Sequence, residues 1–462
     1  MKISPPRLAI DPTNPFKDAL FDRKDFGESL TQLLRNVSES LVIFVNAPWG
    51  EGKTTFAEMW RASLRQQKLE VIYFDAYAAD YFDDPFVSFS GEILAMVDER
   101  LNERGKAERR EFKETAVAVG KRLAGLAVKV GLRAATLGAV ESAHLSELKD
   151  IGSEIATGVS EIGADIVEKK IENYSSEKDA LAAFKKSLKK LAAVVRDEQD
   201  FPLTVIVDEL DRCRPDFALG LLERIKHLFD VEGVAFMLLV NREQIESYIR
   251  AIYGTGVDAA SYLLKFGDLF VDLPNHQPIF HSEKGRMEYC RDLFRHYGFS
   301  GRNGDTLGRS INTLVTHFDM TLREIERVFT IMSLYYGSLP EGHLTHDFLI
   351  PLLSVLKVKR PSFYRELSRG TVSSNRFLQE VGIDQFSNVN HLGVNPDWVK
   401  QTLMYCLLSD DELEQIVATE KNDHDGRSPL AEMGRWLVRY DMDRGKVIPF
   451  FCNRLDRFSV KP

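Results

Sequence analysis

The chain has 462 residues, 44% hydrophobic and 28% charged, with 60 Lys plus Arg against 69 Asp plus Glu and a formal net charge of -9. That length allows two or three domains with a real core, and the acidic balance excludes a surface devoted to coating nucleic acid, while a local basic face remains open. Cys213, Cys290, Cys406 and Cys452 form no C-x-x-C pair, which excludes a zinc ribbon or disulfide scaffold as the organising device.

The N-terminus MKISPPRLAIDPTNPF has no apolar signal core, and no uncharged apolar run reaches the roughly 18 residues of a membrane span, so a cytoplasmic protein is expected. The first strong element is the apolar run 41–45, which predicts a strand buried on both faces of a parallel sheet. APWGEGKT follows, and a helix is predicted over 55–65. Gly50 and Gly52 free the backbone so that the N–H groups of Ala47, Pro48–Gly52 and Lys53–Thr55, proline's excepted, can converge on a polyphosphate at a helix N-terminus. In the G-x-x-x-x-G-K-[ST] pattern Lys53 reaches the β and γ phosphates and Thr54 coordinates Mg2+; here Ala47 stands at the first glycine position, and Gly50 restores freedom inside the loop. The other reading is a tight turn with a solvated lysine.

A strand over 71–74 ends in Asp75. The gap from Lys53 to Asp208 then exceeds one α/β unit, so a helical insertion is expected over 101–195. Within it, 115–140 is rich in Ala, Gly and Val yet broken by Lys121, Arg122, Lys129 and Arg133, which suits amphipathic packing and not a bilayer span. From 101 to 133 the residues Arg104, Lys106, Arg109, Arg110, Lys113, Lys121, Arg122, Lys129 and Arg133 outweigh Glu103, Glu108, Glu111 and Glu114. A soluble hairpin serving self-association or a partner protein, peripheral contact with an anionic membrane, and contact with nucleic acid all fit this segment.

The run 203–207 predicts a strand ending in Asp208 and Glu209. Taking both as strand residues pointing to opposite faces, Asp208 holds the metal and Glu209 orients and deprotonates the attacking water; solvated acids capping a strand are the plainer alternative. A strand over 234–240 ends in Asn241, whose amide would sense the γ-phosphate or the lytic water, and a fifth lies in 267–273. Strands alternating with helices such as LGLLERIKHLF predict an α/β three-layer core with a parallel five-stranded sheet, the two halves of the site finishing on neighbouring strands.

APWGEGKTTF, YFDAYAADYFDDP, VDELDRCRPDFALGLLERIKHLFDVEGVAFMLLVNREQI, SYLLKFGDLFVDLP and TLREIERVF together resemble the KAP family of P-loop NTPases, of the additional-strand, catalytic-glutamate division, over residues 10 to 335. The resemblance implies a P-loop ATPase using ATP and Mg2+, with Lys53 and Thr54 as the phosphate-loop lysine and hydroxyl, Asp208 as the metal aspartate, Glu209 as the catalytic glutamate and Arg323 as an arginine that closes from a helical lid. Arg212 and Arg214 match a DRC-x-P element. Asp75 and Tyr77 depart from the family's asparagine and tryptophan. The resemblance further implies a switch or assembly engine, often in bacterial anti-phage defence, with self-association or partner proteins. Adenine is expected over guanine from the resemblance and from the lack of an N-K-x-D motif, with the base near 14–23.

The expected domains are 1–100 and 196–280 for the two parts of the NTPase core, 101–195 for the insertion, 281–340 for the lid and 341–462 for an all-helical C-terminal module. PLLSVLKV, FYRELSRG, DWVKQTLMYCLL and EMGRWLVRY carry helical apolar stripes there, and the module reads as partner-binding. His343 and His346 have ligand-like spacing but no third ligand, which favours polar or capping roles; KVKRPSFYR reads as a turn before a helix or a nucleic-acid contact. Two alternatives to ATP hydrolysis stand: an ATP-locked scaffold with negligible turnover, and a P-loop kinase, which the Asp208–Glu209 pair disfavours.

Overall fold

The computed structural model describes residues 4–6, 9–81, 85–100, 105–121, 178–275, 284–299, 304–338, 346–382, 403–419 and 443–457. His343, the part of 115–140 beyond residue 121, the first half of DWVKQTLMYCLL and all of EMGRWLVRY lie outside the described residues. The chain divides into two compact units: Ile10–Pro48 with Lys53–Pro274, and Met1–Ala9 with Trp49–Gly52 and Asn275–Pro462.

The α/β unit is organised by five parallel strands, β1 (Leu41–Asn46), β2 (Ile72–Asp75), β3 (Leu203–Asp208), β4 (Val234–Val240) and β5 (Leu269–Asp272), in the order β2-β3-β4-β1-β5. Strand ends fall within two residues of the sequence-based expectation, but one expectation is corrected. β1 and β3 are not neighbours, because β4 lies between them and pairs with both, Leu41 opposite Ala235 and Leu203 opposite Val234. Periodicity in a sequence locates strands and says nothing of their lateral order, which the crossovers decide.

Strand alternation then sorts the side chains. Val42, Phe44, Val205, Val207, Phe236 and Leu238 pack on one face, and Ile43, Val45, Ile206, Ala235, Met237 and Leu239 on the other. Both faces are apolar, so both must be covered. Helices Arg23–Asn36 and Lys53–Gln66 cover the second face with Leu30, Leu34, Phe56, Met59, Trp60 and Leu64. The buried Trp60 indole donates to the Thr31 hydroxyl at 2.9 Å, which satisfies its only polar atom. Pro85–Arg100, Pro215–Arg224 and the described insertion helices 106–121 and 178–199 contribute to the first face. An aromatic cluster ties them in: Phe112 lies 5.4 Å from Phe184, Phe184 5.4 Å from Phe229, and Phe89 5.7 Å from Phe236 of β4. The ends of the insertion are thus part of the core layer.

The other unit is helical among its described residues. Leu349–Lys359 is its most enclosed helix, buried at every position from Leu349 to Leu356. His346 prepares its start, its Nδ1 accepting the Leu349 N–H at 3.1 Å and the Phe348 N–H at 3.4 Å. Helix Leu322–Gly337, which carries Arg323 and Arg327, opens on a capping box in which Thr321 and Glu324 exchange side-chain-to-backbone bonds. No helix among the described residues is long and apolar enough to cross a membrane.

Candidate functional site

The phosphate-type loop leaves β1 with its first residue fixed: the Ala47 N–H donates to the Val240 carbonyl at 3.0 Å, extending the β1–β4 ladder by one rung. Ala47 is buried and its φ is not positive, so the missing glycine costs nothing here. The left-handed positions fall instead at Gly50, φ 92°, and Gly52, φ 77°, where the sequence does supply glycine. The helix begins directly at Lys53, two residues earlier than predicted, so Lys53, Thr54 and Thr55 form its first turn.

Trp49–Gly52 group with the helical unit. There the Gly50 carbonyl accepts the Arg323 N–H at 3.2 Å, and a Cβ at Gly50 would stand 2.8 Å from Arg323 Cβ. Glu51 is buried, with a carboxylate oxygen 3.7 Å from Arg286, while Trp49 is exposed. Pro48 belongs to the α/β unit, and its carbonyl lies 3.4 Å from Lys53 Nζ.

β3 brings the acids to the same edge. Asp208 is its last residue and is 1% exposed. Tyr73, in β2 opposite Ile206, donates its hydroxyl to Asp208 Oδ2 at 2.9 Å, and the Glu209 N–H donates to Oδ1 at 2.8 Å. Glu209 is no strand residue: it sits in the left-handed region at φ 61°, which corrects the expectation that strand alternation separates the two carboxylates. A turn does so instead. Its side chain accepts from the Thr54 hydroxyl at 3.3 Å and pairs with Arg212 Nε at 2.5 Å. Thr54 and Glu209 thus meet across 155 positions of sequence.

Three residues that sequence reasoning left without a role complete the arrangement. Asp211, in the 3-10 turn Leu210–Arg212, is 1% exposed; its Oδ2 lies 3.2 Å from Lys53 Nζ and accepts the Asn241 N–H at 2.7 Å. Lys53 Nζ also donates to the Ala47 carbonyl at 2.8 Å. Asn46, at the end of β1, donates to Asp272 of β5 at 2.8 Å and accepts the Arg242 N–H at 2.9 Å, locking three strand ends together. Arg214 clasps Asp80 through Nε at 3.0 Å and its backbone N–H at 2.9 Å. The DRC-x-P arginines therefore divide, Arg212 to the glutamate and Arg214 to the segment after β2.

Asn241 begins helix Arg242–Tyr253 without capping it through its side chain. Asp75 does cap, accepting the Ala78 N–H at 2.9 Å, so the departure from asparagine leaves a working helix start. Tyr77 is exposed. In 14–23, Asn14 takes part in a turn and Arg23 is buried, its Nε donating to the Pro274 carbonyl at 3.3 Å.

Burial raises the Asp208 carboxyl above the ordinary range; bonds from Thr54, Tyr73 and the Glu209 N–H oppose the shift, and the Asp211 charge adds to it. Glu209 is raised by burial, with Arg212 opposing and Asp208 and Asp211 reinforcing. Burial and the Asp208 charge likewise raise the Tyr73 phenol, which stays a donor. Three acids gathered here, Asp208 and Asp211 buried and Glu209 half-buried, form a place where added positive charge is stabilising. No group of three or more His, Cys, Asp or Glu arranged for a metal occurs among the described residues.

A parallel sheet in this order, a glycine loop running into a helix at Lys53, and an acidic strand end beside that helix define a P-loop NTPase core that binds nucleotide. The chain belongs to the KAP family: the model of the KAP family P-loop domain matches residues 23–338. Among solved structures, the chain is similar to the Aeropyrum pernix ORC2 protein in its ADPNP–ADP complexes, at 12% identity over 98% of this chain and 96% of that one, with a TM-score of 0.34. No curated protein matches the chain.

Proposed function

We propose that the protein binds ATP with Mg2+ at the loop of Ala47–Thr55 and hydrolyses it, using the cycle as a switch or an assembly engine. The observation that carries this is the meeting of Thr54 with Glu209 at 3.3 Å, beside the buried Asp208. It puts a loop lysine and hydroxyl at one place with two acids of different environment, which a structural turn has no need to do.

The donor set fits magnesium: Thr54 and Asp208 offer hard oxygens in a pocket whose burial already disfavours unneutralised carboxylates. When bound, the ion neutralises charge on the β and γ phosphates. The chain's own groups do the rest. Loop N–H groups and Lys53 hold the phosphates, Tyr73 and the Glu209 N–H fix Asp208, Glu209 orients and deprotonates water, and Asn241 addresses the γ-phosphate or that water. Arg323, whose N–H already meets the Gly50 carbonyl, is the lid arginine in this reading.

Glu209 is engaged through both oxygens, by Thr54 and Arg212. Turnover therefore requires its release, and this favours, as a second reading, an ATP-locked assembly whose hydrolysis is negligible until a partner acts. Self-association, partner proteins and a place in bacterial anti-phage defence rest on the family likeness. Phosphate release from ATP, measured for wild type and E209Q with and without candidate proteins, DNA or RNA, tests both readings. Hydrolysis that Glu209→Gln abolishes supports the enzyme; binding and assembly unchanged in E209Q with no wild-type turnover under any condition supports the lock.

A further inference from the structure

The ammonium of Lys53 is held by three groups of the protein itself. It donates to the Ala47 carbonyl at 2.8 Å, lies 3.4 Å from the Pro48 carbonyl and is 3.2 Å from Asp211 Oδ2. Lysine has three N–H donors. A lysine so placed cannot serve a β or γ phosphate without giving up a partner, and the ionic one is the most consequential.

The partner is unusual. Asp211 lies in a short turn between the two candidate catalytic acids and helix Pro215–Arg224, is 1% exposed, and uses the same Oδ2 to hold the N–H of Asn241 at 2.7 Å. Its backbone carbonyl accepts the Tyr248 hydroxyl at 2.8 Å, and Tyr248 lies on the helix that Asn241 opens. One carboxylate oxygen therefore connects the loop lysine after β1 to the residue that follows β4. A buried carboxylate that loses a cationic partner strengthens its remaining bonds, since the charge must still be satisfied.

We propose that Asp211 is a positioning residue that competes with phosphate for Lys53 and transmits the loss of that ion pair to Asn241. Nucleotide draws Lys53 toward the phosphates, the Asn241 N–H keeps its bond to Oδ2 without the competing ammonium, and the segment after β4 tightens when the γ-phosphate is seated. This rests on the ATP reading given above and adds to it an internal competitor for the nucleotide. It also explains why the motif continues as Asp208-Glu209-Leu210-Asp211: the third acid is the one that touches the lysine.

The test is Asp211→Asn in the full chain, with MgATP affinity by calorimetry and kcat measured separately. Removing the competing charge is expected to tighten MgATP binding by about tenfold, equivalent to about 1.4 kcal/mol, while kcat falls by about tenfold or more because Asn241 is no longer held in place. A merely structural residue would weaken both together. Binding in D211N that is unchanged or weaker than wild type overturns the proposal. A wild-type chain that binds no MgATP overturns the ATP reading itself, which separates the two failures. Hydrogen exchange of the Asn241 amide in the wild type decides the matter even if D211N does not fold: with a non-hydrolysable ATP analogue and Mg2+ the exchange is expected to slow, and exchange unchanged by the analogue at saturation contradicts the proposal.

Discussion

Tyr73→Phe isolates one atom of the site. The ring stays, with the Arg61 guanidinium 5.7 Å from its centroid, and β2 keeps its register against β3. Only the hydroxyl that donates to Asp208 Oδ2 at 2.9 Å is lost. A hydrogen bond to a charged acceptor contributes about 1.5–3 kcal/mol, and removing an outer partner of a metal-ligating group typically costs about 10–100-fold in metal affinity. Tyr73 is only partly buried and Asp208 retains the Glu209 N–H, so the lower end applies. We expect the Mg2+ concentration for half-maximal ATP binding or hydrolysis to rise about tenfold, with the melting temperature nearly unchanged. A Mg2+ titration in which wild type and Y73F coincide would refute the argument that Tyr73 holds Asp208 for a metal.

Three further outcomes follow from the packing and the charges. Gly267→Ala should destabilise the α/β unit by about 1–3 kcal/mol, because a Cβ there would stand 2.5 and 2.7 Å from the buried Phe44 ring; urea unfolding checks it, and an unchanged midpoint contradicts it. His346 is held far below the ordinary histidine range, at about 4, by burial. The unfolded chain therefore takes up the proton first as pH falls below 6.5, so stability present above that pH is lost down to about 4, by about 3 kcal/mol; H346N, which keeps an acceptor for the helix start, should show a shallower loss between pH 6.5 and 4.5, and equal slopes would contradict the assignment. Gly50→Ala combines a positive φ with a contact of 2.8 Å to Arg323 Cβ, and should weaken MgATP binding by about tenfold or more, corresponding to the 1–3 kcal/mol of strain typical of such positions.

Much of this was legible in the sequence, for identifiable reasons. Apolar, largely β-branched runs located the strands, most clearly β3 and β4, which are buried at every position. The Lys53–Thr54 and Asp208–Glu209 pairs were visible because phosphate chemistry demands those residue types after such strands. What the sequence hid was lateral and conformational. Nothing in VAFMLLV says that β4 separates β1 from β3, and nothing in DEL says that Glu209 leaves the strand at φ 61°. Tyr73 and Asp211 were overlooked although each carries a signal: a tyrosine two positions before a strand-ending acid, and an acid set between Leu210 and Cys213, where burial demands a partner. His346 read first as half of a histidine pair, and its role emerged only with the helix whose start it caps.

Calorimetric titration of the full chain with ATP in Mg2+, beside Lys53→Ala, reaches the central claim most directly. The account predicts a single saturable site in wild type and a loss of affinity of about a hundredfold in K53A, since that ammonium is the loop's one charged contact to the phosphates. Equal binding by wild type and K53A, or no binding to either, would contradict it.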